Sequence, residues 1–159
     1  MEANRDTILQ ILQEVPQQHP FRFIDEILEL DEEHIVGAYR FREDEYFYPG
    51  HFPGQPITPG VILIETMAQT GVVAFGLYLH MKQMNMSLEK AHGIMTLFTL
   101  AEGVEFTGIV LPGERVIVRG QKIYFRMGNL KSNVSMEREN GETVSFGTLA
   151  GRGVPAGKF

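Results

Sequence analysis

The sequence predicts an α+β fold in which one apolar helix is enclosed by an antiparallel sheet, and three observations carry that expectation. Val61 to Leu79 is almost continuously apolar for 19 residues. Two segments of strand character precede it, and a meander of about four follows it. A helix that is apolar all round must be covered on every side, and in a chain of 159 residues the available cover is a sheet.

Each element has a local cause. In Arg5 to Val15, Ile8, Leu12 and Val15 recur at helical spacing and Pro16 stops the run, which gives a short amphipathic helix within residues 1–15 that flanks the domain. Phe21 to Leu30 and His34 to Phe41 read as strands joined by the acidic turn Asp31-Glu32-Glu33. Glu43 to Pro59 is a long loop. Thr58 is the expected N-cap of the central helix and Pro59 its first residue, a position that needs no N–H donor. Beyond the helix, Ile94 to Phe106 is a long apolar stretch, Leu111-Pro112-Gly113 a turn, and Glu114 to Met127 a strand with a bend near Gly120. Met127-Gly128-Asn129 reverses the chain into Leu130 to Glu139. Asn140-Gly141 is a hairpin turn, and Thr143 to Ala150 closes the meander. No repeat, linker or composition shift divides residues 1–159, so a single domain burying roughly 70% of its unfolded surface is expected.

Composition narrows the function. Apolar residues make up 43% and charged residues 21%, values of a folded globular chain. The net charge of −6 argues against a general nucleic-acid binder. Without cysteine there is no disulfide, thiolate nucleophile or Cys-ligated metal, which suits a reducing compartment. The first ten residues, MEANRDTILQ, lack the basic and apolar regions of a secretory signal, so a cytoplasmic protein is expected. Val61 to Leu79 has the length of a membrane span, but Glu65, Thr66, Gln69 and Thr70 interrupt it and no Lys/Arg cluster flanks it, so a buried soluble helix is expected.

Two residues stand where neither belongs by default. His51 occupies a loop dense in proline and glycine, and Glu65 lies among Val61, Ile62, Leu63, Ile64, Met67 and Ala68, where a carboxylate is costly to ionise. One is a candidate base and the other a candidate acid. Gln69 is one turn beyond Glu65 on the same helix face, placed to orient it or a substrate. Gly60 presents a first-turn N–H with no helical partner, where the helix dipole favours negative charge. The aromatic cluster Tyr46, Phe47, Tyr48 and Phe52 is either core or the lining of a tunnel. His19, His34, His80 and His92 show no metal-ligand spacing, and no metal is expected.

The run GHFPGQPITPGVILIETMAQ at Gly50 to Gln69, with HPFRFID at His19 to Asp25 before it and Val104 to Glu114 after it, resembles the 3-hydroxyacyl-acyl carrier protein dehydratases of type II fatty acid synthesis. Glu rather than Asp at position 65 is similar to the general branch that does not isomerise the double bond. The resemblance implies a hot-dog fold, a curved antiparallel sheet wrapped around a long central helix, and a cofactor-free dehydration. It implies that His51 removes the proton next to the carbonyl, that Glu65 donates to or orients the departing hydroxyl, and that the Gly60 N–H holds the thioester oxygen. Gln69 and Phe52 are then expected near the substrate. The implied partners are an acyl carrier protein with a phosphopantetheine-linked acyl chain and a second copy of the chain. Each active site would join His51 of one subunit to Glu65 of the other, and dimers of this family often assemble as a trimer of dimers.

Three functions follow for test: the dehydratase, a hot-dog thioesterase using water activated by Glu65, and a specialised or non-catalytic dehydratase-like subunit of a polyketide or polyene pathway. An acidic carrier protein calls for a basic surface. Arg115, Arg119, Lys122, Arg126 and Lys131 form the one concentrated basic group, to be weighed against an ordinary solvated strand face and against a coenzyme A thioester as substrate.

Overall fold

A computed structural model describes residues 1–85, 87–91 and 93–157. Helix α1 spans Arg5–Glu14. Asn4 caps it, with its Oδ1 accepting from Thr7 N at 2.9 Å. The strands are β1 Glu26–Leu30, β2 His34–Arg40, β3 Ile94–Phe106, β4 Arg115–Arg126, β5 Asn129–Arg138 and β6 Thr143–Pro155. They form one six-stranded sheet in the order β1-β2-β4-β5-β6-β3, and every pairing is antiparallel. The short helix Leu88–Ala91 leads into β3.

The central helix α2, Gly60–Met84, carries an 18-residue window of mean hydropathy 1.5, and 72% of that window is buried. The sheet provides the cover that a bilayer would otherwise supply. Met67 and Val72 of α2 pack with Phe41, Val116, Val134, Met136 and Leu149 from three strands and a loop. Further along α2, Phe75 and Leu79 meet Ile11 and Val15 of the N-terminal segment and Ile35 of β2. Strand alternation accounts for the third cluster, in which Val36, Ala38 and Ile117 lie together apart from both helix-facing groups.

Two glycines let α2 cross the sheet closely. A Cβ on Gly71 would lie 2.6 Å from Val134 Cγ2, and one on Gly120 would lie 3.0 Å from the Cα of Gly71. Around this crossing, Gln69–Ala74, the helix widens to π geometry, with Phe75 N–H donating to Thr70 O, five residues back.

The element order expected from sequence is the one observed, with four corrections. The segment expected as a strand from Phe21 pairs only from Glu26, because Phe21 O and Phe23 N are bonded to the side chain of Gln69 instead of to a neighbouring strand. Pro59, not Thr58, is the N-cap of α2 and Gly60 is its first residue; the Thr58 hydroxyl is engaged with Tyr48 Oη at 2.8 Å. Gly120 lies inside a regular stretch of the β2–β4 and β4–β5 ladders, and the irregularity in β4 falls between Lys122 and Tyr124. Strand β6 continues past Ala150 to Pro155, since Gly151 and Gly153 pair with Phe98 and Thr96 of β3. A Cβ on Gly151 would come within 2.5 Å of Val72 Cγ1, so its lack of a side chain reflects a close approach of α2 rather than a strand end.

Candidate active site

The loop before α2 fixes His51 by its backbone. His51 N donates to Tyr48 O at 3.2 Å, and Ile57 N donates to His51 O at 2.8 Å. The ring then returns to the same residue, with Nδ1 donating to Ile57 O at 2.9 Å. A carbonyl oxygen only accepts, so Nδ1 carries the proton and Nε2 presents its lone pair outward. Phe52 stacks on the imidazole, centroids 4.1 Å apart and planes inclined by 24°. The loop is anchored by Thr58 N, which donates to Val110 O at 2.9 Å, and by Tyr48. Burial pushes the Tyr48 phenol up to about 12. On its outer side, Tyr39 Oη donates to the buried Glu45 carboxylate at 2.5 Å.

At the start of α2, Pro59 O accepts from Ile62 N and Leu63 N. The Gly60 N–H meets no acceptor among the described residues. A Cβ on Gly60 would lie 3.1 Å from the tip of the Phe106 ring, so only glycine leaves that space unfilled.

Glu65 follows on the helix, half-buried. Gln69, 0% exposed, holds it: Nε2 donates to Glu65 Oε1 at 3.0 Å. The same Nε2 donates to Phe21 O at 2.9 Å, and Gln69 Oε1 accepts from Phe23 N at 2.6 Å. Both of its N–H donors and its amide oxygen are therefore engaged by protein, an arrangement that holds Glu65 in place. Burial raises the carboxyl of Glu65 above its ordinary range, opposed by the hydrogen bond from Gln69. That is the direction a general acid needs. A small cavity of about 40 Å³ adjoins it, with Gln17 and Thr96 as its other polar lining and Phe98 of β3 among its apolar walls.

The structure thus joins Glu65 to Gln69 and His51 to Phe52. It does not join the two pairs within one chain. No hydrogen bond links His51 to Glu65 among the described residues, and the cavity beside Glu65 does not reach His51. Of the other histidines, His34 is held between Glu29 and Asp31, 3.0 Å from each. His19 and His80 line separate cavities, and His92 is outside the described residues. Among the described residues no three metal-ligating side chains cluster. Four members of the basic group are matched by acids, as Arg115–Glu26, Arg119–Glu137, Lys122–Glu33 and Lys131–Glu102. This is the paired strand face rather than a free basic surface. Sequence reasoning missed the carbonyl of Ile57, which no side-chain pattern reveals, and Gln17, which stands 48 residues from Glu65 and carries no motif.

Fold and site together define a hot-dog protein with a half-buried carboxyl on the central helix and an oriented imidazole in the loop before it. The model of the FabA-like domain matches residues 15–142, and the chain belongs to that family. It is 36% identical over 146 residues to the 3-hydroxyacyl-[acyl-carrier-protein] dehydratase FabZ of Roseiflexus sp. (strain RS-1), covering 90% of this chain and 93% of that one. It is 33% identical over 144 residues to the protein of the same name from Acetivibrio thermocellus, covering 90% and 91%. Among solved structures, the dehydratase heterocomplex ApeI:P from Xenorhabdus doucetiae shares the fold at a TM-score of 0.71 and 14% identity, covering 93% of this chain and 91% of that one. A hypothetical thioesterase with coenzyme A from Streptococcus pneumoniae shares it at 0.53 and 12% identity, covering 97% and 98%.

Proposed function

We propose that this chain is a dehydratase converting 3-hydroxyacyl-acyl carrier protein thioesters to trans-2-enoyl thioesters in fatty acid biosynthesis. Nε2 of His51 removes a proton from C2, the C2–C3 double bond forms, and the C3–O bond breaks as Glu65 protonates the departing oxygen. The Gly60 N–H holds the thioester oxygen while negative charge builds on it, a task for which an unpartnered first-turn donor is suited. Phe52, stacked on the imidazole, borders the acyl chain. The single observation that carries this reading is the half-buried Glu65, whose carboxyl is raised by burial and fixed by a fully buried Gln69.

The active unit in this reading is a homodimer with shared sites, assembled in the cytoplasm and open to further association as a trimer of dimers. Three features support it. Among the described residues no hydrogen bond joins His51 to Glu65, and His51 does not line the cavity beside Glu65. β3 is an edge strand of 13 residues whose outer side no other strand pairs among the described residues. Val61, Phe98 and Phe106 remain exposed around Gly60 and Glu65, at 72%, 40% and 48%.

The test is incubation of the purified protein with carrier-bound 3-hydroxyacyl chains of several lengths, followed by mass spectrometry. Loss of one water with wild type, and none with His51→Ala or Glu65→Gln, is the expected result. Release of free carrier thiol from a non-hydroxylated acyl substrate would instead identify a thioesterase, and no change at any chain length would leave a non-catalytic subunit.

A further inference from the structure

The cavity beside Glu65 contains a second polar group that the mechanism above leaves unused. Gln17 Oε1 is buried and meets no donor among the described residues, and Gln17 lines the same cavity as Glu65. Buried amide oxygens are nearly always hydrogen-bonded, so an orphan on a residue that lines a cavity marks a place for a donor. The cavity measures about 40 Å³, more than the roughly 10–15 Å³ of such space that one water molecule needs. Its remaining walls are Ala68, Val72, Val73 and Phe98, with the Thr96 hydroxyl as a further polar group.

The position of Gln17 is built. Arg22 reaches back to the end of α1 and donates to Leu12 O at 2.5 Å, to Val15 O at 3.3 Å and to Gln17 O at 3.4 Å. Gln18 Nε2 adds a bond to Val15 O at 3.2 Å. The backbone that carries Gln17 is therefore tied on both sides, and Gln17 and Glu65 line one cavity. On the Glu65 side, Gln69 occupies Oε1, and Oε2 is the oxygen left to exchange a proton.

We propose that Gln17 Oε1 and Glu65 together hold the water formed at C3, an inference that rests on the dehydratase reading. As the C2–H bond gives its electron pair to the new C2–C3 double bond, the C3–O bond breaks with its pair on oxygen. Glu65 transfers its proton to that oxygen, leaving a carboxylate and a water molecule. The water donates one O–H to Gln17 Oε1 and the other to the Glu65 carboxylate, so both acceptors are satisfied at the moment the leaving group departs. Gln17 acts earlier as well, by accepting from the 3-hydroxyl of the substrate and turning its oxygen lone pair towards Glu65.

The test combines a crystal structure of the wild-type protein with the kinetics of Gln17→Met and Gln17→Glu. The structure is expected to show one water bonded to Gln17 Oε1 and Glu65. Gln17→Met, close in shape but without the acceptor, is expected to lower kcat about tenfold, the effect of one hydrogen bond to the reacting oxygen, with KM within about twofold. Gln17→Glu, which keeps an oxygen there, is expected to retain more of kcat. Thermal unfolding of the Gln17→Met variant should match or exceed wild type, because the orphan acceptor is removed. A structure in which a protein donor, including one from a partner subunit, occupies Gln17 Oε1 overturns the proposal even if the Gln17→Met variant does not fold. Unchanged kcat for Gln17→Met, with an active wild type, overturns it as well and leaves the dehydratase reading intact. Wild-type protein that does not dehydrate the thioester overturns the parent reading and this one together.

Discussion

Replacing Gln69 by leucine removes the one side chain that ties the acid to the loop preceding β1. Leucine fills much of the same volume, so the cost falls on the hydrogen bonds. Phe23 N–H would lose a partner at 2.6 Å in a buried bond, and Phe21 C=O one at 2.9 Å in a part-buried bond. Leaving the buried donor unsatisfied costs about 1–3 kcal/mol, and the part-buried carbonyl adds less. At roughly 2–4 °C per kcal/mol for a domain of this size, the unfolding midpoint should fall by about 2 °C at least. Urea titration should show the loss at unchanged m, because the same surface is exposed on unfolding. Activity should suffer separately. The hydrogen bond from Gln69 is the influence that lowers the Glu65 carboxyl, so without it the acid titrates higher still, and the limb of the pH–rate profile that reports Glu65 should move to higher pH. A Gln69→Leu variant within about 0.5 kcal/mol of wild type, or an unmoved limb in a folded variant, would refute the assignment of Gln69 as positioner.

Further consequences follow from the same geometry. Glu65→Gln should lower kcat by about 10²–10⁴-fold, the usual worth of a general acid, and should stabilise the fold at neutral pH. The sign is fixed by burial: the folded carboxyl titrates above its unfolded value, so its cost is absent below the unfolded pKa and grows as pH rises through the folded one, and the stability difference between variant and wild type should widen over that interval. His34 moves stability with pH in the same direction as Glu65, through a favourable contribution that is lost rather than a cost that grows. Its pKa is raised, first by the hydrogen bond to Glu29, so its contribution is fully present below the ordinary histidine value and lost as pH rises through the folded one. His34→Gln should therefore cost more stability at pH 5.5 than at pH 8.5, and equal losses would contradict the pairing. Gly71→Val should destabilise by more than about 1 kcal/mol, because its first side-chain carbon already falls 2.6 Å from Val134; chemical denaturation measures this directly.

Most of the architecture was legible because its signals are local. Alternation around Val134 and Met136, the apolar run of α2 and the Asn140-Gly141 turn each follow from neighbours in the chain, and together they give the element order. His51 and Glu65 were legible as candidates for a different reason: each is chemically out of place in its segment. What could not be read depends on contacts distant in sequence. Phe21 and Phe23 have strand character, but Gln69, 46 residues beyond Phe23, takes the hydrogen bonds that a strand would need. Gly151 looks like a strand end until Val72 is seen against it. The tautomer of His51 depends on a backbone carbonyl, and Gln17 acquires its meaning only from a cavity that the segment after α1, α2 and β3 enclose together. The basic group reads as a docking surface in one dimension because the glutamates that pair it come from β1, β3, β5 and the turn before β2.

The most direct measurement uses defined heterodimers of differently tagged subunits, one His51→Ala and the other Glu65→Gln, both inactive as homodimers. If base and acid meet across the subunit boundary, each heterodimer contains one site with both residues intact and one with neither, and it should turn over 3-hydroxyacyl carrier protein at about half the wild-type rate per dimer. Heterodimers of verified composition that stay as inactive as their parents, beside an active wild type, would contradict the shared site built from His51 and Glu65.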